Sequence, residues 1–162
     1  MSLHALGVSK DDEVITQALT FVATCNAIRY TGASPVFIDV DLDTLGMSYE
    51  HLKYFLRNNV KIIDNQPVNI KTGKIIKACL PMHTFGLACR IDKIVKLCNE
   101  YKINIVEDAA EALGSYLNRQ HLGTFGDLGT FSFNGNKIIT TGGGGMVVTN
   151  DLKLAERLKH LS

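Results

Sequence analysis

Apolar and polar positions along this chain fall into blocks whose period switches back and forth. "DEVITQ", "SPVFIDV", "IIKACLP", "INIVEDAA", "LGTFSF" and "MVVTN" are short runs rich in apolar and β-branched residues, which predicts strands. "SPVFIDV" and "IIKACLP" are apolar at successive positions, the pattern of strands buried on both faces. Between them the spacing turns helical. "FVATCNAIRYTG" sets Val22, Ala23, Ala27 and Ile28 at helix period, with Gly32 as a stop. "SYEHLKYFLRNN" gathers Leu52, Phe55 and Leu56 behind a Ser48 N-cap. "RIDKIVKLCNEYK" turns Ile91, Ile94, Val95 and Cys98 inward, and Asp151 caps the amphipathic "DLKLAERLKHLS". "INIVEDAA" reads as a strand that ends in two acids and runs into a helix. Residues 60–74 are polar and turn-rich, a surface insertion or a small hairpin.

Strands alternating with helices of about 10–13 residues predict βαβ units. The expected fold is α/β, a mainly parallel sheet flanked by helices, with right-handed connections. The opening "LHALG" resembles the last turn of a helix followed by a Gly stop, and the final helix simply ends, so the chain reads as a piece of a longer domain.

Composition narrows the partners. The 162 residues carry a net charge of +1 with both signs interspersed, so no basic face points to nucleic acid. No apolar run approaches the roughly 18–20 residues that span a bilayer, which argues against a membrane partner. The N-terminus lacks the cationic and apolar regions of a signal peptide. Cys25, Cys79, Cys89 and Cys98 form no CxxC pair and no zinc spacing. Free thiols and a cytoplasmic location are expected. The three acids of "FIDVDLDT" are read as turn and cap residues, and no metal site is expected.

In open parallel sheets, ligands sit outside the carboxyl ends of the strands. That rule selects Thr20-Phe21, "PMHTFG" at 81–86, "VEDAAE" at 106–111 and "SFNGNK" at 132–137. Lys137 follows a strand, beside the hydroxyls of Ser132, Thr140 and Thr141, where an amine can act as a nucleophile toward a carbonyl. Asp108 is either a helix cap or an anion for a buried cation. A carboxylate beside a ring nitrogen keeps a pyridine protonated and improves it as an electron sink. Glu111, three residues on, shares its face if the segment is helical. His83 serves either loop hydrogen bonding or the lining of a site, and Phe21 either core packing or a stacking platform. The "TGGGG" run matches neither GxGxxG nor a P-loop. An amine, a carboxylate and an aromatic platform together are the parts required by pyridoxal 5'-phosphate.

At this point the chain resembles a known family. "DEVITQALTFVATCNAIRYTGASPVFIDVDLDTL", "PMHTFG", "VEDAAEALGS" and "GTFGDLGTFSFNGNKIITTGGGGMVVTND" follow in order the pattern of DegT/DnrJ-type sugar aminotransferases, fold-type I enzymes dependent on pyridoxal phosphate. The resemblance covers nearly the whole chain apart from 60–74. It implies that residues 1–162 are the central part of the large domain, with a phosphate-cradle segment before them and a small domain after, and that these residues alone are inactive. It implies Lys137 as the lysine that binds the cofactor covalently, Asp108 at the pyridine nitrogen, Glu111 near the ring hydroxyl, Phe21 stacked on the ring and Ser132 at the phosphate. Asn134 stands where several members have His, Glu111 where many have Gln, and Gly143 where a Glu is common. The implied partners are a nucleotide-linked keto sugar, an amino-acid donor and a second copy in a homodimer. Two rivals are a sugar dehydratase using the same cofactor, a branch that replaces the lysine with histidine, and a non-catalytic scaffold that keeps the fold.

Overall fold

The computed structural model describes all 162 residues. A single turn of helix, α1 (Ser2–Ala5), leads into β1 (Asp12–Gln17), α2 (Val22–Tyr30), β2 (Ser34–Ile38) and α3 (Tyr49–Asn59). A hairpin of β3 (Val60–Ile63) and β4 (Gln66–Asn69) precedes β5 (Ile75–Leu80) and α4 (Ile91–Glu100). Then come β6 (Asn104–Asp108), the two-residue strands β7 (Tyr116–Leu117) and β8 (Gln120–His121), β9 (Leu128–Ser132), β10 (Gly145–Val148) and α5 (Leu152–Leu161).

The strands β2, β1, β5, β6 and β9 lie side by side in that order and all run parallel. Antiparallel β10 closes one edge on β9, and β4 joins β5 through Val68 and Ile75. The expected mainly parallel α/β sheet is therefore present, and its central strands β1, β5 and β6 are buried on both faces, as parallel sheets require. One core holds Leu52 and Leu56 of α3 with Ile91, Ile94 and Cys98 of α4; the other holds Leu3, Ile28 and Leu158 from α1, α2 and α5. No helix is long and apolar enough to cross a membrane.

Local signals act as the sequence predicts at the caps. Ser48 accepts from the His51 amide, and Asp151 accepts from the Lys153 and Leu154 amides. Gly32 stands at φ +84, where a Cβ would meet the Lys10 side chain at 2.7 Å, so α2 stops there. The polar 60–74 stretch contains a hairpin whose turn residues, Asp64 and Asn65, both have positive φ, the signature of a two-residue turn that suits strand twist.

Three expectations need correction. β2 is not buried on both faces: it pairs only with β1, and Phe37 is left exposed. Its apolar run comes from an edge position that this chain leaves uncovered. In α2 only Thr24 and Ile28 are buried, because the Ala23 and Ala27 side faces a cavity rather than the core. The segment after Asp108 is not helical. It makes successive tight turns, with Ala112 N–H to Ala109 O and Ser115 N–H to Ala112 O, and passes into the β7–β8 hairpin. Asn118 and Arg119, both at positive φ, turn that hairpin.

All four cysteines are free and three are buried. A side-chain hydrogen bond to Cys98, together with burial, pushes the Cys79 thiol up. Burial, helped by the nearby Glu107 anion, does the same for Cys89. These thiols are packing groups held in the neutral form.

Candidate active site

The carboxyl ends of β5, β6 and β9, with Phe21 and α2 beyond β1, open on one cavity of about 680 Å³, within the size range of small-molecule sites. Phe21, Asp108, Glu111, Ser132, Asn134 and Lys137 all line it. Six residues singled out from sequence are thus brought together, although they span more than one hundred positions of chain.

Asp108 is the last residue of β6, and strand alternation sends its side chain to the face opposite that of Glu107. It is 9% exposed. Its Oδ2 accepts from the Thr24 hydroxyl at 2.6 Å and its Oδ1 from the Ala110 amide at 3.2 Å. The hydroxyl of Thr20 in turn donates to that of Thr24 at 3.0 Å. A carboxylate offers about four lone-pair positions, so Asp108 is oriented by two donors and keeps capacity for a third from the cavity. Lys137 lies in the turn after β9, with its side chain 19% exposed and its Nζ 3.4 Å from Glu111 Oε1. Glu111 Oε2 accepts from the Phe85 amide at 2.9 Å. Phe21 precedes α2 as its N-terminal flanking residue and is 72% exposed, its ring presented to the cavity rather than to the core.

Ser132 Oγ accepts from the Asn134 amide at 3.3 Å, and Asn134 Nδ2 reaches Asn136 Oδ1 at 3.1 Å. Thr140 and Thr141 do not reach the cavity: their hydroxyls donate to the carbonyls of Phe133 and Gly143, within their own loop. His83 is corrected as a lining residue. It is fully buried, and its Nε2 lies 2.9 Å from Glu107 Oε2 on the other side of β6. Its Nδ1 has no partner, so the ring serves as an Nε2–H donor to the carboxylate. The acids of "FIDVDLDT" also have structural roles: Asp41 and Asp43 both pair with Arg90. No cluster of His, Cys, Asp and Glu is arranged to hold a metal ion.

Two contributors escaped the sequence reading. Thr24 orients Asp108, and its only advance signal is a hydroxyl one helical turn after Thr20. Glu107 is the larger omission. Fully buried, it takes the amides of Gly123, Phe125 and Gly126 at 2.8, 2.6 and 2.7 Å in addition to His83. Those amides belong to the loop entering β9, so Glu107 ties the strand bearing Asp108 to the strand leading to Ser132 and Lys137. Glu107→Ala strands several buried donors at once. It is expected to cost about 3–5 kcal/mol of stability, read as a lower urea midpoint.

The residues present fit pyridoxal phosphate on structural grounds. An amine and an oriented carboxylate line one cavity, with an aromatic face exposed to it. What the fold and the cavity define together is a parallel-sheet domain that collects an amine, a carboxylate and a ring at its strand ends. The chain belongs to the DegT/DnrJ/EryC1/StrS aminotransferase family, whose description matches residues 1–162. It is 43% identical over 160 residues to a GDP-perosamine synthase of Escherichia coli O157:H7, covering 99% of this chain and 40% of that protein. It is 35% identical over 162 residues to the UDP-N-acetyl-3-dehydro-alpha-D-glucosamine 3-aminotransferase of Acidithiobacillus ferrooxidans, covering 99% of this chain and 40% of that one. Among solved structures, a family aminotransferase from Brucella abortus superposes with a TM-score of 0.86 at 32% identity, covering 98% of this chain and 40% of that one. The chain spans about 40% of the length of the curated relatives it matches.

Proposed function

We propose that the protein is a pyridoxal-phosphate-dependent aminotransferase. It moves an amino group from glutamate to a nucleotide-linked keto sugar of the 4-keto-6-deoxy, acetamido type, in the cytoplasm and as a homodimer, for surface-glycan synthesis. The observation that supports this reading best is that the Lys137 amine and the Asp108 carboxylate line one cavity beside an exposed Phe21 ring. The curated relatives described above carry names that refer to GDP- and UDP-linked sugars, which supports the substrate class and leaves the nucleotide to assay.

When bound, the cofactor supplies an electron sink conjugated to the carbon that loses its proton. The rest is done by this chain. Lys137 Nζ holds the cofactor, and, once released, takes the proton from the donor's α-carbon. Asp108, held by Thr24 and the Ala110 amide, accepts from the ring N–H and keeps that nitrogen protonated. Phe21 covers one face of the ring and excludes water from it. Ser132 offers a hydroxyl to the phosphate.

Amination of UDP-, GDP- and dTDP-linked keto sugars by the full-length protein, with glutamate as donor, tests the reading. Stoichiometric loss of glutamate with one of the three is the expected result. Loss of a sugar hydroxyl without net nitrogen transfer would assign the protein to the dehydratase branch. No product with any sugar, together with no covalent attachment of pyridoxal phosphate at Lys137, would leave the scaffold reading.

A further inference from the structure

Glu111 is the acidic side chain within ion-pair distance of Lys137, and its two oxygens have separate tasks. Oε2 is fixed on the Phe85 amide at 2.9 Å, while Oε1 meets Lys137 Nζ at 3.4 Å. The fixed side is stiff. Phe85 at φ 54 and Gly86 at φ 79 are both left-handed, and a Cβ on Gly86 would stand 2.8 Å from the Glu111 carbonyl oxygen. Backbone and carboxylate of Glu111 are therefore both pressed against the 84–86 turn, and Lys137 is the partner free to move. The pair also forms the boundary between two spaces. Glu111 and Lys137 line the main cavity and a second one of about 240 Å³ whose walls include Phe85, Ile138 and Ile139.

A free lysine gives this carboxylate a full cation with three N–H donors. A lysine bonded to a cofactor's aldehyde carbon cannot, because its nitrogen is drawn to the ring and its one remaining N–H faces the ring's own oxygen. We propose that Glu111 selects between the two forms of the cofactor. It favours pyridoxamine phosphate, which leaves Lys137 free on Glu111, over pyridoxal phosphate, which takes Lys137 away. The inference rests on the cofactor reading above and goes beyond it by naming what sets the balance of forms. In the exchange, water adds across the bond between Nζ and the aldehyde carbon. Pyridoxal phosphate departs with the oxygen, Lys137 keeps its nitrogen and the proton as an ammonium, and pyridoxamine phosphate takes the vacated place. No electrons are transferred.

The test needs no turnover. Protein stripped of cofactor is equilibrated with pyridoxal phosphate and pyridoxamine phosphate in graded ratio and reduced with borohydride. The fraction of Lys137 carrying the pyridoxyl mass is then read by peptide mass spectrometry. Glu111→Gln is isosteric and still accepts from the Phe85 amide. It should need about two- to fivefold more pyridoxamine phosphate to displace half of the Lys137-bound form, the range for a partly exposed ion pair. Raising the ionic strength should move the wild type toward the variant and leave the variant unchanged. Equal ratios in the two proteins overturn the role of Glu111. If the variant fails to fold, a wild-type ratio that does not respond to salt overturns it instead. Absence of the pyridoxyl mass from Lys137 at every ratio overturns the cofactor reading, and this inference with it.

Discussion

Lys137→Ala should give a folded protein that retains no pyridoxal phosphate through borohydride reduction, with transamination lowered by about 10²–10⁴ or more. The loss is large because the proposed function gives one amine two tasks, holding the cofactor and carrying the proton. The fold should survive because the side chain is outside both hydrophobic cores and its side-chain contact is the partly exposed pair with Glu111. Such pairs contribute little to stability. A melting temperature near the wild-type value, alongside an empty Lys137 peptide position, separates the chemical role from a structural one. Wild-type rates in the variant would remove Lys137 from the mechanism.

The second large effect is at Asp108. Asp108→Asn preserves shape and the ability to accept from the Thr24 hydroxyl, whose bond to Oδ2 is 2.6 Å. It removes the anion proposed to keep a ring nitrogen protonated. Cofactor capture at Lys137 should persist while turnover falls about 10²–10³, the usual cost of deleting one preorganised electrostatic partner. Unchanged turnover would mean that the carboxylate acts as a turn cap through the Ala110 amide and nothing more. The two variants thus separate attachment from activation: Lys137→Ala loses both, and Asp108→Asn loses only the second.

Much of this arrangement was legible in the chain because it depends on chain-local rules. Strand-helix alternation fixes a parallel sheet, and a parallel sheet fixes the edge at which ligands bind. Phe21, Asp108, Ser132 and Lys137 each follow or end a strand, so their convergence follows from topology without any side-chain detail. The failures have a common cause as well. The burial of β2 and the stripe on α2 depend on what packs against them, and Phe37 and Ala23 face no core here. His83 and Glu107 were invisible as a pair because strand alternation turns Glu107 away from the cavity, and only three-dimensional pairing shows that it binds three amides of a loop sixteen to nineteen positions on. The turns after Asp108 defeated the helix expectation for "EDAAEAL". Good helix formers yield there to the hairpin carried by Asn118 and Arg119. Even so, Glu111 reaches the cavity by a turn instead of a helix.

A crystal structure of the protein with pyridoxal phosphate bound is the measurement closest to the centre of this account. It should show Lys137 Nζ joined to the aldehyde carbon at one end of the pyridine and an Asp108 oxygen about 2.7–2.9 Å from the ring nitrogen at the other. A ring seated elsewhere, or one whose nitrogen lies out of reach of Asp108, would contradict it.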